Sequence, residues 1–94
     1  MQKIVITAGG TKEPIDDVRC ITNHSTGRLG YTIAKYCAEK GFEVVLLSPL
    51  ETVQICGGTI EGARHVYFTS SEDLRKKMLG EENPFMIFHA AAVA

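Results

Sequence analysis

The chain has 94 residues, 45% of them hydrophobic, and its ten Lys and Arg against eleven Asp and Glu give a formal net charge of −1. A chain this short buries only about two-thirds of its unfolded surface, which leaves room for one core and excludes a multidomain architecture. Near-neutral charge excludes a broad basic surface for nucleic acid or an anionic membrane, and no apolar run approaches the roughly 18 residues of a membrane helix.

Met1 leads within two residues into strand-like sequence, which leaves no room for a signal peptide and points to the cytoplasm. Lys3 to Ala8 is an apolar, β-branched run ending at Gly9-Gly10, the pattern of a strand buried on both faces that stops at a turn. From Ser25-Thr26 the pattern becomes helical. A hydroxyl pair suited to capping precedes Leu29, Ile33 and Cys37 at spacing four, and Lys40-Gly41 supplies the stop. Phe42 to Leu47 is a second buried strand, closed by Ser48-Pro49 because proline offers no donor to a ladder.

Glu51 to Gly62 mixes Thr, Gly and single hydrophobics, which predicts a connection with at most a weak turn and flexibility at Gly57-Gly58. Arg64 to Phe68 is a third strand. Ser70 to Asp73 then caps a helix that carries Leu74, Met78 and Leu79, with Arg75-Lys76-Lys77 as its solvated face. Asn83-Pro84 breaks the chain, and Phe85 to Phe88 opens a fourth strand that runs into His89 and the small residues 90–94. Short alternation of strands and helices predicts an α/β fold, a Rossmann-like parallel sheet in three layers that ends after its fourth strand, with residues 1–94 as one domain.

Cys20, Cys37 and Cys56 are odd in number and widely spaced, and His24, His65 and His89 lack ligand spacing, so neither a disulfide framework nor a zinc site is indicated. The informative stretch is the turn after the first strand. In an ordinary dinucleotide fold G-x-G-x-x-G joins strand to helix directly. Here the signal is split between Gly9-Gly10 and Gly27-x-x-Gly30, so Thr11 to Thr26 must leave the sheet and return. Loops of that length in compact domains are usually functional or disordered; Pro14-Ile15, Val18 and Ile21 can anchor this one.

The loop's charges nearly cancel: Lys12, Arg19 and Arg28 stand against Glu13, Asp16 and Asp17. An anion would therefore be held by backbone amides and the helix N-terminus, with Asn23, Ser25 and Thr26 as neutral donors, unless these three serve only as caps. With strands in the order 3-2-1-4, the first and fourth are neighbours, and the crevice beyond their carboxyl ends is the expected ligand site. Gly9-Gly10 lies at one edge of it and Ala90-Ala91-Ala92 at the other; the alanines either admit a ligand to the backbone or let a helix pack closely.

Residues 6–30, ITAGGTKEPIDDVRCITNHSTGRLG, together with HAAAVA at 89–94, resemble phosphopantothenoylcysteine synthetase over nearly the whole chain. The resemblance implies a ligase of coenzyme A biosynthesis that joins 4'-phosphopantothenate to cysteine using a nucleotide, usually CTP in bacteria with ATP as the alternative, and Mg²⁺. It implies that Gly9, Gly10 and Thr11 border the phosphates, that Ser25, Thr26 and Gly27 complete the cradle, and that His89, Ala90 and Ala91 line the nucleotide by main-chain contacts. Asn23 falls at the family's asparagine beside the acyl intermediate. Arg19 is a candidate for a phosphate or subunit-interface contact, and Asp16 for a metal ligand or a turn residue; no metal ligand is assigned.

The family is commonly dimeric, and in bacteria its synthetase is often fused behind a flavin-dependent decarboxylase, a half expected to be absent here. Asp17 and Cys20 depart from the family's usual proline and tyrosine. An aspartate, an aromatic residue and a lysine-rich flap would follow Ala94, so the 94 residues are expected to carry the nucleotide half of the site with little synthetase activity alone. The competing readings are a short-chain-type NAD(P)-dependent reductase and a non-catalytic nucleotide-binding domain. Against the reductase, the helix starts late, and Ser48-Pro49 stands where an acidic ribose ligand belongs, with Glu51 a poor substitute.

Overall fold

The computed structural model describes residues 2–14, 20–22, 27–81 and 84–91. Along the chain the elements are β1 (Lys3–Thr7), β2 (Lys12–Pro14), β3 (Cys20–Thr22), α1 (Arg28–Glu39), β4 (Glu43–Ser48), α2 (Leu50–Cys56), β5 (Ala63–Tyr67), α3 (Ser71–Leu79) and β6 (Met86–His89). Four of the strands form one parallel sheet in the order β5-β4-β1-β6, the predicted 3-2-1-4.

Burial explains this order. β4 lies inside the sheet, and its Val44, Val45, Leu46 and Leu47 are at most 1% exposed. Alternation sends Val44 and Leu46, with Ile4 and Ile6 of β1, toward Tyr31 and Ala34 of α1. Val45, Leu47 and Val5 face Leu74 of α3 and Phe68 on the opposite side. The result is the predicted three-layer α/β arrangement. Each such aliphatic side chain contributes about 1.5–3 kcal/mol on burial, whereas an exposed ion pair contributes about 0–1 kcal/mol, so the apolar runs decide which strand is central. Among the described residues no helix is long and apolar enough to cross a membrane.

Two expectations are corrected. Residues 51–62 are not a featureless connection, because α2 occupies Leu50–Cys56. Pro49 precedes it, Glu51 lies in its first turn, and Gly57 ends it at φ 118°. The long turn is also not a simple excursion, since β2 and β3 pair as a short antiparallel ladder that aligns Lys12 with Thr22 and Pro14 with Cys20. α1 begins at Arg28 with Gly27 as its N-cap, while Lys40 and Gly41, the latter at φ 90°, terminate it. At α3 the Ser70 Oγ accepts the Asp73 N–H at 3.1 Å and Asp73 Oδ2 accepts the Thr69 N–H at 3.1 Å, a reciprocal cap of the predicted kind.

α1 reaches β1 without an intervening side chain. A Cβ on Gly30 would lie 2.5 Å from Ala8 Cβ and 2.9 Å from the Thr7 carbonyl oxygen. Gly30→Ala should therefore push the helix start off the strand and cost about 1–3 kcal/mol, measured as a fall in the urea midpoint with the slope retained.

The far end of the sheet is tied by Glu81, whose Oε1 receives Lys3 Nζ at 2.8 Å and Arg64 Nη2 at 2.5 Å. Burial alone would raise the Glu81 pKa, but the hydrogen bonds from Lys3 and Arg64 outweigh it and hold the carboxyl below its ordinary value of 4.5. The unfolded chain thus takes up a proton first on acidification. This contribution is complete above the ordinary carboxylate pKa and is lost as pH falls through the lowered, folded-state value. Glu81→Gln should lose about 1–2 kcal/mol at pH 7 and flatten the acid limb of stability against pH, read by urea unfolding between pH 3 and 7, a range set around ordinary carboxylate titration.

Candidate functional site

The two halves of the split glycine signal meet in space. A Cβ built on Gly27 would come within 2.9 Å of the Gly9 nitrogen, and one on Gly9 within 2.6 Å of Thr52 Oγ1 and 2.5 Å of Pro49 Cδ. Gly9 and Gly27 adopt φ 83° and 78°, where side chains are strained, and Thr52 is 3% exposed against both. The chain therefore leaves the sheet after Gly9 and comes back with Gly27 laid on it. This puts the N-terminus of the 12-residue α1 beside the carboxyl end of β1. Its first amides have no acceptor within the helix and, with the helix dipole, favour an anion. The close packing against Thr52 and Pro49 requires these glycines even before any ligand is considered.

On the other side of β1 lies β6. Thr7 and His89 are register partners, and Thr7 Oγ1 lies 2.8 Å from His89 Nδ1. The Ala90 N–H donates to the Thr7 carbonyl at 3.1 Å, and the Ala91 N–H to Thr7 Oγ1 at 3.2 Å. Residues 89–91 thus border the predicted crevice, but with the amides of Ala90 and Ala91 already engaged. What they can offer a ligand is carbonyl oxygens, methyl groups and the exposed imidazole.

Gly10 leans the other way. With Lys12, Pro49, Leu50, Tyr67 and Thr69 it helps line a cleft of about 540 Å³ beyond the ends of β4 and β5. The Lys12 N–H donates to the Thr69 carbonyl at 2.7 Å, and Thr11 between them is fully buried. Two ion pairs edge this cleft, Lys12 with Glu51 at 2.8 Å and Lys77 with Asp73 at 3.2 Å. The Lys12 hydrogen bond holds the Glu51 carboxyl below its ordinary range. Burial would raise Asp73, but the Thr69 amide and Lys77 outweigh it and its pKa is lowered as well.

Of the site residues expected from sequence, Gly9, Gly27, His89, Ala90 and Ala91 gather around the end of β1, while Gly10 lines the neighbouring cleft and Thr11 is buried beside it. Arg19, Asn23, Ser25 and Thr26 lie outside the described residues, as do Asp16 and the anchors Ile15 and Val18. Among the described residues no three His, Cys, Asp or Glu side chains group as a metal site. Sequence reasoning missed Thr7 and Thr52. A hydroxyl at the last position of an otherwise aliphatic strand is the signal that marks Thr7; Thr52 carried none, because its neighbours are glycines rather than a hydrophobic stripe.

Residues 1–94 match the family described as the DNA/pantothenate metabolism flavoprotein C-terminal domain. The coenzyme A biosynthesis bifunctional protein CoaBC of Vibrio cholerae is 35% identical over 92 residues, which cover 97% of this chain and 22% of that protein. The crystal structure of the DNA/pantothenate metabolism flavoprotein from Streptococcus pneumoniae superposes with a TM-score of 0.89 at 34% identity, covering 100% of this chain and 41% of that one. The C-terminal domain of a CoaBC protein superposes with a TM-score of 0.83 at 35% identity, covering 99% and 46%. The chain thus spans less than half the length of each of these relatives. Matched along its entire length, and superposing closely on these structures, the chain belongs to the DNA/pantothenate metabolism flavoprotein C-terminal domain family.

Proposed function

We propose that this chain supplies the nucleotide-holding half of a phosphopantothenate–cysteine ligase site. The observation that carries the reading is the apposition of Gly27 on Gly9, which aims the start of α1 at the end of β1 beside residues 89–91. The family membership and the CoaBC likeness supply the substrate class. In the proposed reaction a carboxylate oxygen of 4'-phosphopantothenate attacks the α-phosphorus of CTP, or of ATP, and pyrophosphate leaves. The amine of cysteine then attacks the acyl carbon, the bond to the nucleotidyl oxygen breaks, and the nucleoside monophosphate departs as the amine loses its proton.

In this reading Gly9, Ser25, Thr26 and Gly27 border the triphosphate, with Gly10 and Thr11 behind them on the side of the neighbouring cleft, and the charge gathering on the triphosphate is met by helix-start amides that need no reorganisation. His89, Ala90 and Ala91 line the nucleotide, the alanines through carbonyls and methyls because their amides serve Thr7. Asn23 donates to the developing oxyanion, and Arg19 reaches a phosphate or a second subunit of a homodimer. Mg²⁺ would be held chiefly by the phosphate oxygens of the nucleotide, whose charge it would offset, since no described side-chain cluster is built to hold it. A cytoplasmic setting accords with Cys37 and Cys56 lying outside any disulfide.

Calorimetry on the 94-residue chain should detect CTP with Mg²⁺, or ATP with Mg²⁺, in preference to NADPH, and the chain alone should release little pyrophosphate from phosphopantothenate, cysteine and nucleotide. Preference for NADPH would revive the reductase, and binding of no nucleotide would overturn the proposal. In a chimera completed by the remainder of the Streptococcus pneumoniae relative, Asn23→Ala should slow product formation about 10²-fold while leaving nucleotide affinity nearly unchanged. Equal loss of both rejects the oxyanion role.

A further inference from the structure

Thr7 is fully buried at the end of β1, and its hydroxyl touches two groups, His89 Nδ1 at 2.8 Å and the Ala91 N–H at 3.2 Å. The second contact is unambiguous in direction, because an amide only donates. The first depends on the imidazole tautomer. If Nδ1 carried the proton, Thr7 Oγ1 would accept twice, and its own buried proton would have no acceptor among the described residues. An unsatisfied buried donor is far more costly than a made hydrogen bond is favourable. If instead the hydroxyl donates to a bare Nδ1, every polar atom of the pair is satisfied at once and the imidazole proton lies on Nε2.

We infer that Thr7 is a positioning residue that holds His89 as the Nε2–H tautomer and pins the Ala90–Ala91 backbone, so that the exposed imidazole presents a hydrogen-bond donor to the crevice. The group facing it must then be an acceptor, such as a phosphoryl or carboxylate oxygen, and not a base amino group. Only this last step, the ligand class, rests on the proposed nucleotide reading; the tautomer stands on the geometry alone. Three features converge on the arrangement. Register places Thr7 and His89 on the same face of the sheet. The Ala90 N–H bond to the Thr7 carbonyl fixes the backbone as it leaves β6. Ala91 packs against the core cluster of Val5, Leu47 and Phe68, so the segment is held from behind as well.

His65 provides an internal reference of opposite sense. Its Nε2 accepts the Ile60 N–H at 3.0 Å, which puts its proton on Nδ1, a buried atom with no hydrogen-bond partner among the described residues. Histidine-selective ¹⁵N labelling and long-range ¹H–¹⁵N correlation on the 94-residue chain at about pH 9, where an ordinary imidazole is neutral, will read both tautomers. His89→Gln and His65→Gln assign the signals. The expected spectrum has His89 as a single Nε2–H form and His65 as the Nδ1–H form. Thr7→Val, which keeps shape and removes the hydroxyl, should convert His89 to a mixture, and Thr7→Ser should restore the single form.

A wild-type His89 with its proton on Nδ1, or a Thr7→Val chain whose His89 is unchanged, overturns the inference; should Thr7→Val fail to fold, the wild-type spectrum and the Thr7→Ser variant still decide it. Adding CTP with Mg²⁺ separates the ligand class from the tautomer. A shift of the His89 Nε2–H signal, with affinity about fivefold weaker in Thr7→Val than in Thr7→Ser, supports the acceptor-facing role. An unperturbed signal on confirmed nucleotide binding removes that role and leaves the tautomer standing.

Discussion

The contact between the backbones of Gly9 and Gly27, sealed by the side chain of Thr52, is the constraint on which the rest of this molecule depends. Neither residue can carry a Cβ without colliding with protein atoms, and both are in the left-handed region where glycine is at ease. Because they touch, the chain between them is free to form its own ladder without disturbing the strand-to-helix junction. The junction and the excursion are thereby separated: one sets the position of a helix N-terminus, the other is available for residues that a short turn has no room to hold.

The two ends of the sheet are built from different chemistry. At the amino end of β1, Lys3 and Arg64 converge on the nearly buried Glu81, a charged tie across three neighbouring strands. At the carboxyl end the buried polar side chains include the hydroxyls of Thr7, Ser48 and Thr52, and the tight contacts are made by glycines. A charged cluster at the carboxyl end would compete with an anion for the α1 amides or neutralise it prematurely. Placing the ion pairs of Lys12 and Lys77 at the rim of the adjoining cleft, each with its own carboxylate, keeps that region close to neutral as well. An anion at the carboxyl end would meet the short-range oriented dipoles of the α1 start together with Arg28 in the same turn.

How much of this was legible in the sequence follows from the range of each interaction. The strands were, because Ile4 to Ile6 and Val44 to Leu47 are apolar at consecutive positions, as a strand covered on both faces must be. The cap at Ser70 to Asp73 was, because its partners are three residues apart. α2 was not: its buried residues Thr52 and Val53 are adjacent rather than spaced three or four apart, and Thr52 packs on glycine backbone that no periodicity reveals. Strands of three residues such as β2 and β3 are too short to show alternation. The glycine pattern announced a special turn, but its physical reason, contact with Thr52 and Pro49, becomes visible only once α2 is known to exist. The Thr7 to His89 contact joins residues 82 positions apart and emerges only from the register of β1 and β6.

The hydrogen bonds around the carboxyl ends narrow how an anion can be held. The Ala8 amide donates to the Leu47 carbonyl, Lys12 to Thr69, Ala90 to the Thr7 carbonyl and Ala91 to the Thr7 hydroxyl. These four amides therefore stitch the sheet together beyond its last ladder bonds, which takes them out of the set of anion donors. Among the described residues, the first turn of α1, entered through Gly27, carries Arg28 and no acidic residue, and the imidazole of His89 stands on the other side of β1. These approach the end of β1 from opposite neighbours. A ligand spanning them must carry its acceptor oxygens toward both while its flat or apolar part rests on the methyls of Ala90 and Ala91, an orientation imposed by the rim's own hydrogen bonds before any ligand arrives.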